Sequence, residues 1–270
     1  MLTLTLQKIN KYLSMNCLTN FLFLFLFILT SLLSIGQTPD STNKTATFSG
    51  TVGITNNGFS IIPSFSLNSP AIVSTLSFRK KRFSFDPDIR VALDAKNGGF
   101  LWWFRYKLID QKKFGFRVGT HPAFTLIKRL DTENGKTTEI TEMLRFLAFE
   151  VVPSYQITPH VGVSATYLQG NALQKHGPQL TRVLFLNTSF TNLKLSQNFR
   201  LNLFPTIFFL HTDGYRGDYF TLTVSVSNQK SPISLQSTIN QTFKSNIPGN
   251  KDFMWNVTLN YDFKRFIKRN

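Results

Sequence analysis

Phe253-Met254-Trp255-Asn256-Val257-Thr258-Leu259-Asn260-Tyr261-Asp262-Phe263 decides the fold. Phe253, Trp255, Val257, Leu259, Tyr261 and Phe263 alternate with Met254, Asn256, Thr258, Asn260 and Asp262. A period of two makes this a strand with one oily face and one wet face. Aromatic residues stand near both ends of the oily face, where an amphipathic ring meets a membrane interface. A strand of a soluble sandwich would alternate in the same way. The rest of the chain decides whether that face meets lipid or a second sheet.

The chain has 270 residues, room for one large β-domain or two small ones. It carries a formal net charge of +16 and 28 phenylalanines. Cys17 is its single cysteine, which excludes a disulfide or a cysteine metal site from the chain beyond the leader. Residues 1–36 read as a secretory signal. Lys8 and Lys11 supply a positive start, Phe21 to Ser34 is uncharged and apolar, and Ser34 and Gly36 are small residues ahead of a cut before Gln37. The strongly apolar core is shorter than the ~20 residues of a spanning helix. Residues 37–45 form a short polar segment, 46–264 a barrel and 265–270 a basic tail.

Working back from the last strand, period-two stretches recur. Phe48, Gly50, Val52 and Ile54 mark the first, and Ile72 to Phe78 the second. In the third, Phe83, Phe85, Pro87, Ile89, Val91 and Leu93 oppose Ser84, Asp86, Asp88, Arg90 and Asp94. Asn97-Gly98-Gly99 reads as a turn. Phe100, Trp102, Phe104, Tyr106 and Leu108 then oppose Trp103, Arg105 and Lys107. Phe114, Phe116, Val118, Phe124 and Leu126 oppose Gly115, Arg117, Gly119 and His121. In the sixth stretch Arg145 and Glu150 have opposite parity, which predicts a bulge between them. Six further strands end at Phe263.

Twelve strands follow, an even number as in bacterial outer-membrane barrels. The longer connections, 244–251, 211–216, 169–179, 131–138, 95–98 and 56–70, fall on one rim. The short turns near 79–82, 110–113, 157–160, 195–198 and 229–232 fall on the other. The oily face has almost no charge, and the second face is largely Ser, Thr, Asn and Gly. A sandwich would place many charges on a solvent face, whereas a closed sheet in lipid needs no edge. The expected fold class is all-β: a closed antiparallel up-and-down transmembrane β-barrel of about twelve strands.

The leader ending Ser34-Ile35-Gly36-Gln37 and the segment Trp255 to Phe263 resemble those of Bacteroidetes-type outer-membrane β-barrel proteins. Gly58 to Leu67 and Ile247 to Phe253 resemble them too. The resemblance implies an integral outer-membrane location. It also implies lipid and lipopolysaccharide as surroundings and the barrel-assembly machinery as a partner. It assigns no activity.

The lumen-facing charges Asp86, Asp88, Arg90, Arg105, Lys107, Arg117 and His121 form one candidate wall. Pairing the third and fourth strands across Asn97 would set Asp88 opposite Arg105 and Asp86 opposite Lys107. Pairing across 110–113 would set Arg105 opposite Arg117. Such a band is a salt-bridge network that fills the bore, or a charged constriction that selects ions or a small solute. The segment 56–70, with Ile61, Ile62, Pro63 and Phe65, is a candidate plug. No catalytic residue, metal site or cofactor is expected. His121, His160, His176 and His211 lack triad-like neighbours, and His211 with Asp213 is the one pair near the long-loop rim. The basic residues gather at the short-turn rim, which suits lipid phosphates better than nucleic acid. The functional expectation is a narrow pore or small-solute channel. The alternative is a non-conducting scaffold or receptor acting through its loops.

Overall fold

The computed structural model describes residues 46–60, 62, 65–133 and 136–267. The proposed leader and residues 37–45 lie outside them. Twelve antiparallel strands run in chain order: β1 (Ala46–Thr55), β2 (Ala71–Lys80), β3 (Phe83–Ala92), β4 (Gly98–Asp110), β5 (Phe114–Glu133), β6 (Lys136–Thr158), β7 (Val161–Ala172), β8 (Leu180–Lys194), β9 (Phe199–Thr212), β10 (Tyr215–Asn228), β11 (Ile233–Ser245) and β12 (Phe253–Ile267). Each strand pairs with its neighbours, and β1 pairs with β12 from Ala46↔Ile267 to Thr55↔Thr258, so the sheet closes into a barrel. Closure leaves no unpaired edge strand. β12 runs to Ile267, so residues 265–267 of the expected tail are strand.

Side chains sort as the alternation dictates. Trp255, Leu259 and Tyr261 point outward, as do Ile54, Phe104, Leu147 and Phe209. Thr258 and Asn260 are buried inside. On the outside, Phe263, Phe48, Phe78, Phe85 and Phe104 touch in sequence, with centroids 4.4 to 6.3 Å apart. This partial girdle lies on β12 and β1–β4, towards the short-turn rim.

Several connections differ from the expectation. The β3–β4 turn is centred on Asp94-Ala95. Ala95 has φ +55° and its amide donates to the Ala92 carbonyl, while Gly98 and Gly99 already belong to β4. The turn forms earlier because the Asp94 side chain accepts from the Lys96 amide. β9 and β10 are joined by Asp213-Gly214 alone, whose positive φ suits a two-residue hairpin. Residues 131–133 and 136–138, expected as loop, are strand. β5 and β6 pair as far as Glu133↔Lys136, beyond the last β4 and β7 partners at Leu126 and Phe146, so a two-stranded ribbon extends past its neighbours. Lys128 with Glu139, Arg129 with Glu142 at 3.0 Å and Thr132 with Thr137 at 3.0 Å hold its strands together. β6 has no bulge between Arg145 and Glu150. Arg145 points outward and Glu150 inward on a strand in unbroken register with β5. Arg145 lies opposite Phe124 of β5, one residue past the last β6 residue paired with β7.

Candidate functional site

The interior has two halves. Towards the short-turn rim it is wet and charged. Arg105 on β4 and Glu150 on β6 both lie opposite Gly119 of β5. A side chain at Gly119 would meet Arg105 Cγ and Glu150 Cγ at 3.0 Å, so the glycine lets the two meet across an intervening strand. Arg105 Nε donates to Glu150 Oε1 at 2.8 Å, and Arg105 Nη1 donates to Asp86 Oδ2 at 3.1 Å. Arg117 Nη2 lies 3.1 Å from Glu150 Oε1. Asp86 also accepts from Ser77 and Ser84, and Asp262 from Thr51 and Ser234. Around them open cavities of about 600 and 730 Å³, lined among others by Arg79, Arg117, Lys107 and Asn187.

The expected seven-residue band therefore does not form as one wall. Asp86, Arg105 and Arg117 come together around Glu150. Asp88 binds Arg90, two residues along its own strand, through two 2.9 Å bonds. Lys107 turns to Asp110 at 2.9 Å near the rim. His121 stands apart among apolar neighbours, its ring centroid 3.8 Å from that of Trp103. The registers are Asp88↔Leu101, Asp86↔Trp103, Arg105↔Gly119 and Lys107↔Arg117, in place of the expected pairs. The early turn at Asp94-Ala95 moves the β3–β4 pairing. The 111–113 turn, closed by the Gln111 amide on the Phe114 carbonyl, moves the β4–β5 pairing. Glu150, the acid that joins the cluster, was legible in one respect. It is the sole charge in Phe146-Leu147-Ala148-Phe149-Glu150-Val151-Val152, and a lone acid in an oily strand must face inward.

Towards the long-loop rim the inward face mixes the expected polar residues, among them Thr125, Thr181 and Thr212, with an apolar cluster that was not expected. Trp103, Leu144, Phe146, Val183, Phe208, Leu210, Tyr219 and Met254 are buried there. The segment 56–70 enters this space. Ile62 packs against the cluster formed by Val183, Phe208, Leu210, Tyr219 and Ile247, Phe65 against that of Ala123, Leu144 and Phe146, and Leu67 clusters with Ala71 and Ala92. It thus touches three sides of the bore. Phe65 meets Phe146 edge-on at 5.1 Å, and Phe59 is buried as well. The segment bonds to itself: the Gly58 amide donates to the Ser69 carbonyl, the Leu67 amide to Gly58, and the Ser60 amide to Ser66 Oγ. Gly58 is needed because a Cβ would lie 2.8 Å from Ala71 Cβ. Of the candidate plug residues, Ile62 and Phe65 pack inside the bore, and Ile61 and Pro63 lie outside the described residues. Ile247, from the β11–β12 loop, joins the same cluster. Tyr219 anchors it by stacking on Phe208 at 4.6 Å while its hydroxyl reaches Ser245 and Asn250.

The other histidines do not assemble into a site. Asp213 accepts from the Gln179 and Leu180 amides, which ties its carboxylate to the turn beside His211. His160 Nδ1 lies 3.0 Å from the Thr191 carbonyl. Among the described residues no cluster of His, Cys, Asp and Glu is arranged to hold a metal ion.

No protein-family model and no curated protein matches the chain. Solved structures do resemble it. The KdgM porin aligns over 80% of this chain and 99% of its own, with 12% identity and a TM-score of 0.48. OmpT, an outer membrane protein of Vibrio cholerae, aligns over 81% and 97%, with 9% identity and a TM-score of 0.41. The CymD monoaromatic hydrocarbon channel aligns over 85% and 90%, with 10% identity and a TM-score of 0.40.

Proposed function

We propose that this protein is an integral outer-membrane barrel that serves as a small-solute channel held shut at rest by its own Asn56–Pro70 segment. The observation that carries the proposal is the seating of Phe59, Ile62, Phe65 and Leu67 across the bore, above a wet chamber lined by charge. The membrane location is supported by a closed sheet whose outward side chains are oily, since lipid tolerates no unpaired edge. Lipopolysaccharide outside and the assembly machinery during insertion would then be its partners.

Burial of Phe59, Ile62, Phe65 and Leu67 favours the inserted arrangement, at up to about 1.5–3 kcal/mol for each side chain that is fully buried, against the entropy of ordering the segment. In the chamber Arg79, Arg105, Arg117 and Lys264 outnumber Asp86, Glu150 and Asp262, which biases an open path towards anions.

Planar-bilayer recording tests this. The wild type is expected to be nearly silent. A Phe59→Ser, Phe65→Ser variant should carry steady, salt-dependent current with a modest anion preference that Arg117→Ala reduces. Steady wild-type current of the same size would sink the plug. A folded loop variant that stays silent would sink the channel. That outcome would favour a non-conducting barrel presenting its loops, a reading supported by the hydrogen bonds that close segment 56–70 on itself.

A further inference from the structure

Between β5 and β10 the outer surface of the barrel sinks into a hollow of about 550 Å³. Its floor is Pro153 on β6, Ala165 on β7 and Pro205 on β9, and its sides are Phe114, Tyr155, Ile207 and Phe220. These residues belong to the oily outer face: Pro153 shares its parity with Tyr155, Ala165 with Val163, and Pro205 with Ile207, all of them exposed. A hollow of that volume falls within the range of ligand pockets, about 300–1,000 Å³.

The hollow exists because short side chains interrupt a row of long ones. Phe116 pairs with Pro153, Ala165 with Leu186, Leu186 with Ile207, and Ile207 with Phe220. Proline is also out of place inside a sheet, because it has no N–H to give the next strand. The β6–β7 ladder skips Val152 and Pro153, and the β8–β9 ladder skips Phe204 and Pro205. On the other side of the barrel a proline leaves no such space: Pro87 of β3 lies in register with Trp102 and is buried.

The near end of the hollow meets a basic turn. Phe114, one of its sides, directly follows Lys112 and Lys113, which are exposed. Asp110, the acid of that turn, is held by Lys107 at 2.9 Å, so it does not neutralise them. The Gln156 amide donates to the Lys113 carbonyl at 2.7 Å, which fixes the turn beside Tyr155. Both lysines also border the mouth of the wet chamber, so they stand where the bore meets the membrane surface. Tyr155 is exposed at the same edge, where a phenol ring joins hydrocarbon to headgroup. Long loops face outside in barrels of this kind, so a hollow opening beside the short turns lies in the leaflet away from lipopolysaccharide.

We propose that the hollow and the 110–113 turn together bind one anionic phospholipid, with an acyl chain along Pro153, Ala165 and Pro205 and its phosphate at Lys112 and Lys113. Apolar shape selects the chain, and unneutralised positive charge selects the headgroup. The inference rests on the proposed membrane location and not on conduction.

Native mass spectrometry tests it. Refolded protein in detergent is given equal amounts of dioleoyl phosphatidylglycerol and dioleoyl phosphatidylethanolamine, and the lipid kept after washing is weighed. The wild type should keep a single phosphatidylglycerol and prefer it about tenfold, the effect of two lysines beside one headgroup. Ala165→Phe, which fills the hollow, should lose the retained lipid. The double variant Lys112→Gln, Lys113→Gln should keep a lipid and bring the preference to within about twofold. Two comparisons on the wild type decide the matter even if a variant fails to fold. Equal retention of the two lipids overturns the headgroup site. Dihexanoyl phosphatidylglycerol held as firmly as the dioleoyl form overturns the hollow as the seat of a chain. A dimer that carries no lipid gives the hollow to a second copy and overturns the proposal. Insertion into neutral phosphatidylcholine bilayers tests the membrane location separately. A wild type that does not insert overturns that location, whereas one that inserts and keeps no phosphatidylglycerol overturns the lipid site alone.

Discussion

The two halves of the bore are built from the same twelve strands yet solve opposite problems. In the short-turn half, charge is brought together and satisfied: Glu150 serves both Arg105 and Arg117, and Asp86 takes Arg105 with two serines. In the long-loop half, Phe146, Phe208, Leu210 and Tyr219 make an interior like that of a soluble protein, and the chain supplies its own filling from segment 56–70. Trp103 marks the border, with Arg105 on one side and His121 on the other. An ion network leaves room for water around it. Packed apolar side chains do not. On the proposed function, the charged half is the part of the path that stays open and the oily half is the part that the segment closes.

The comparison breaks most severely at Glu150. Glu150→Ala leaves two neighbouring guanidiniums without their shared carboxylate and should cost about 3–5 kcal/mol, read as a lower urea midpoint for the folded barrel. A loss under about 1 kcal/mol would mean that water already carries those charges. Phe65→Ala comes next. It should cost about 2–3 kcal/mol, less than a fully buried phenylalanine, and the loss should be local. Hydrogen exchange should quicken at the Gly58 and Leu67 amides and stay slow in β9 and β10. Uniform quickening would show that plug and wall unfold together. Gly119→Val probes the meeting point from the third strand. Pushing Arg105 from Glu150 should cost about 1–3 kcal/mol and make stability more sensitive to salt. Asp110→Ala is the weak control: its pair with Lys107 is exposed, so stability from the urea titration should fall by no more than about 0.5 kcal/mol.

How much of this was legible depends on the range of the interaction involved. The alternation of Phe253 to Phe263, or of Phe83 to Val91, is a local property, and it gave the strands, their oily faces and the parity of Asp86, Arg105 and Arg117. Residue pairings were harder to read, because each depends on where a turn closes. Ala95 adopting φ +55° under the Asp94 side chain moved Asp88 from Arg105 to Leu101. Glu150 was read as a sign of a bulge because its partners lie on β4 and β5, far from it in the chain. The inward positions of Phe208 and Tyr219 could be counted from the alternation. Their purpose could not, because the group they pack against, Ile62, arrives from a loop after β1.

The sequence by itself determined a period-two, even-stranded sheet with one oily and one wet face, because side-chain direction in a strand is fixed residue by residue. The tertiary structure decided which charges meet, that apolar side chains gather inside towards one rim, and that Phe59, Ile62, Phe65 and Leu67 pack inside. Those outcomes arise from contacts between strands distant in the chain, and only closing the sheet brings these contacts within reach.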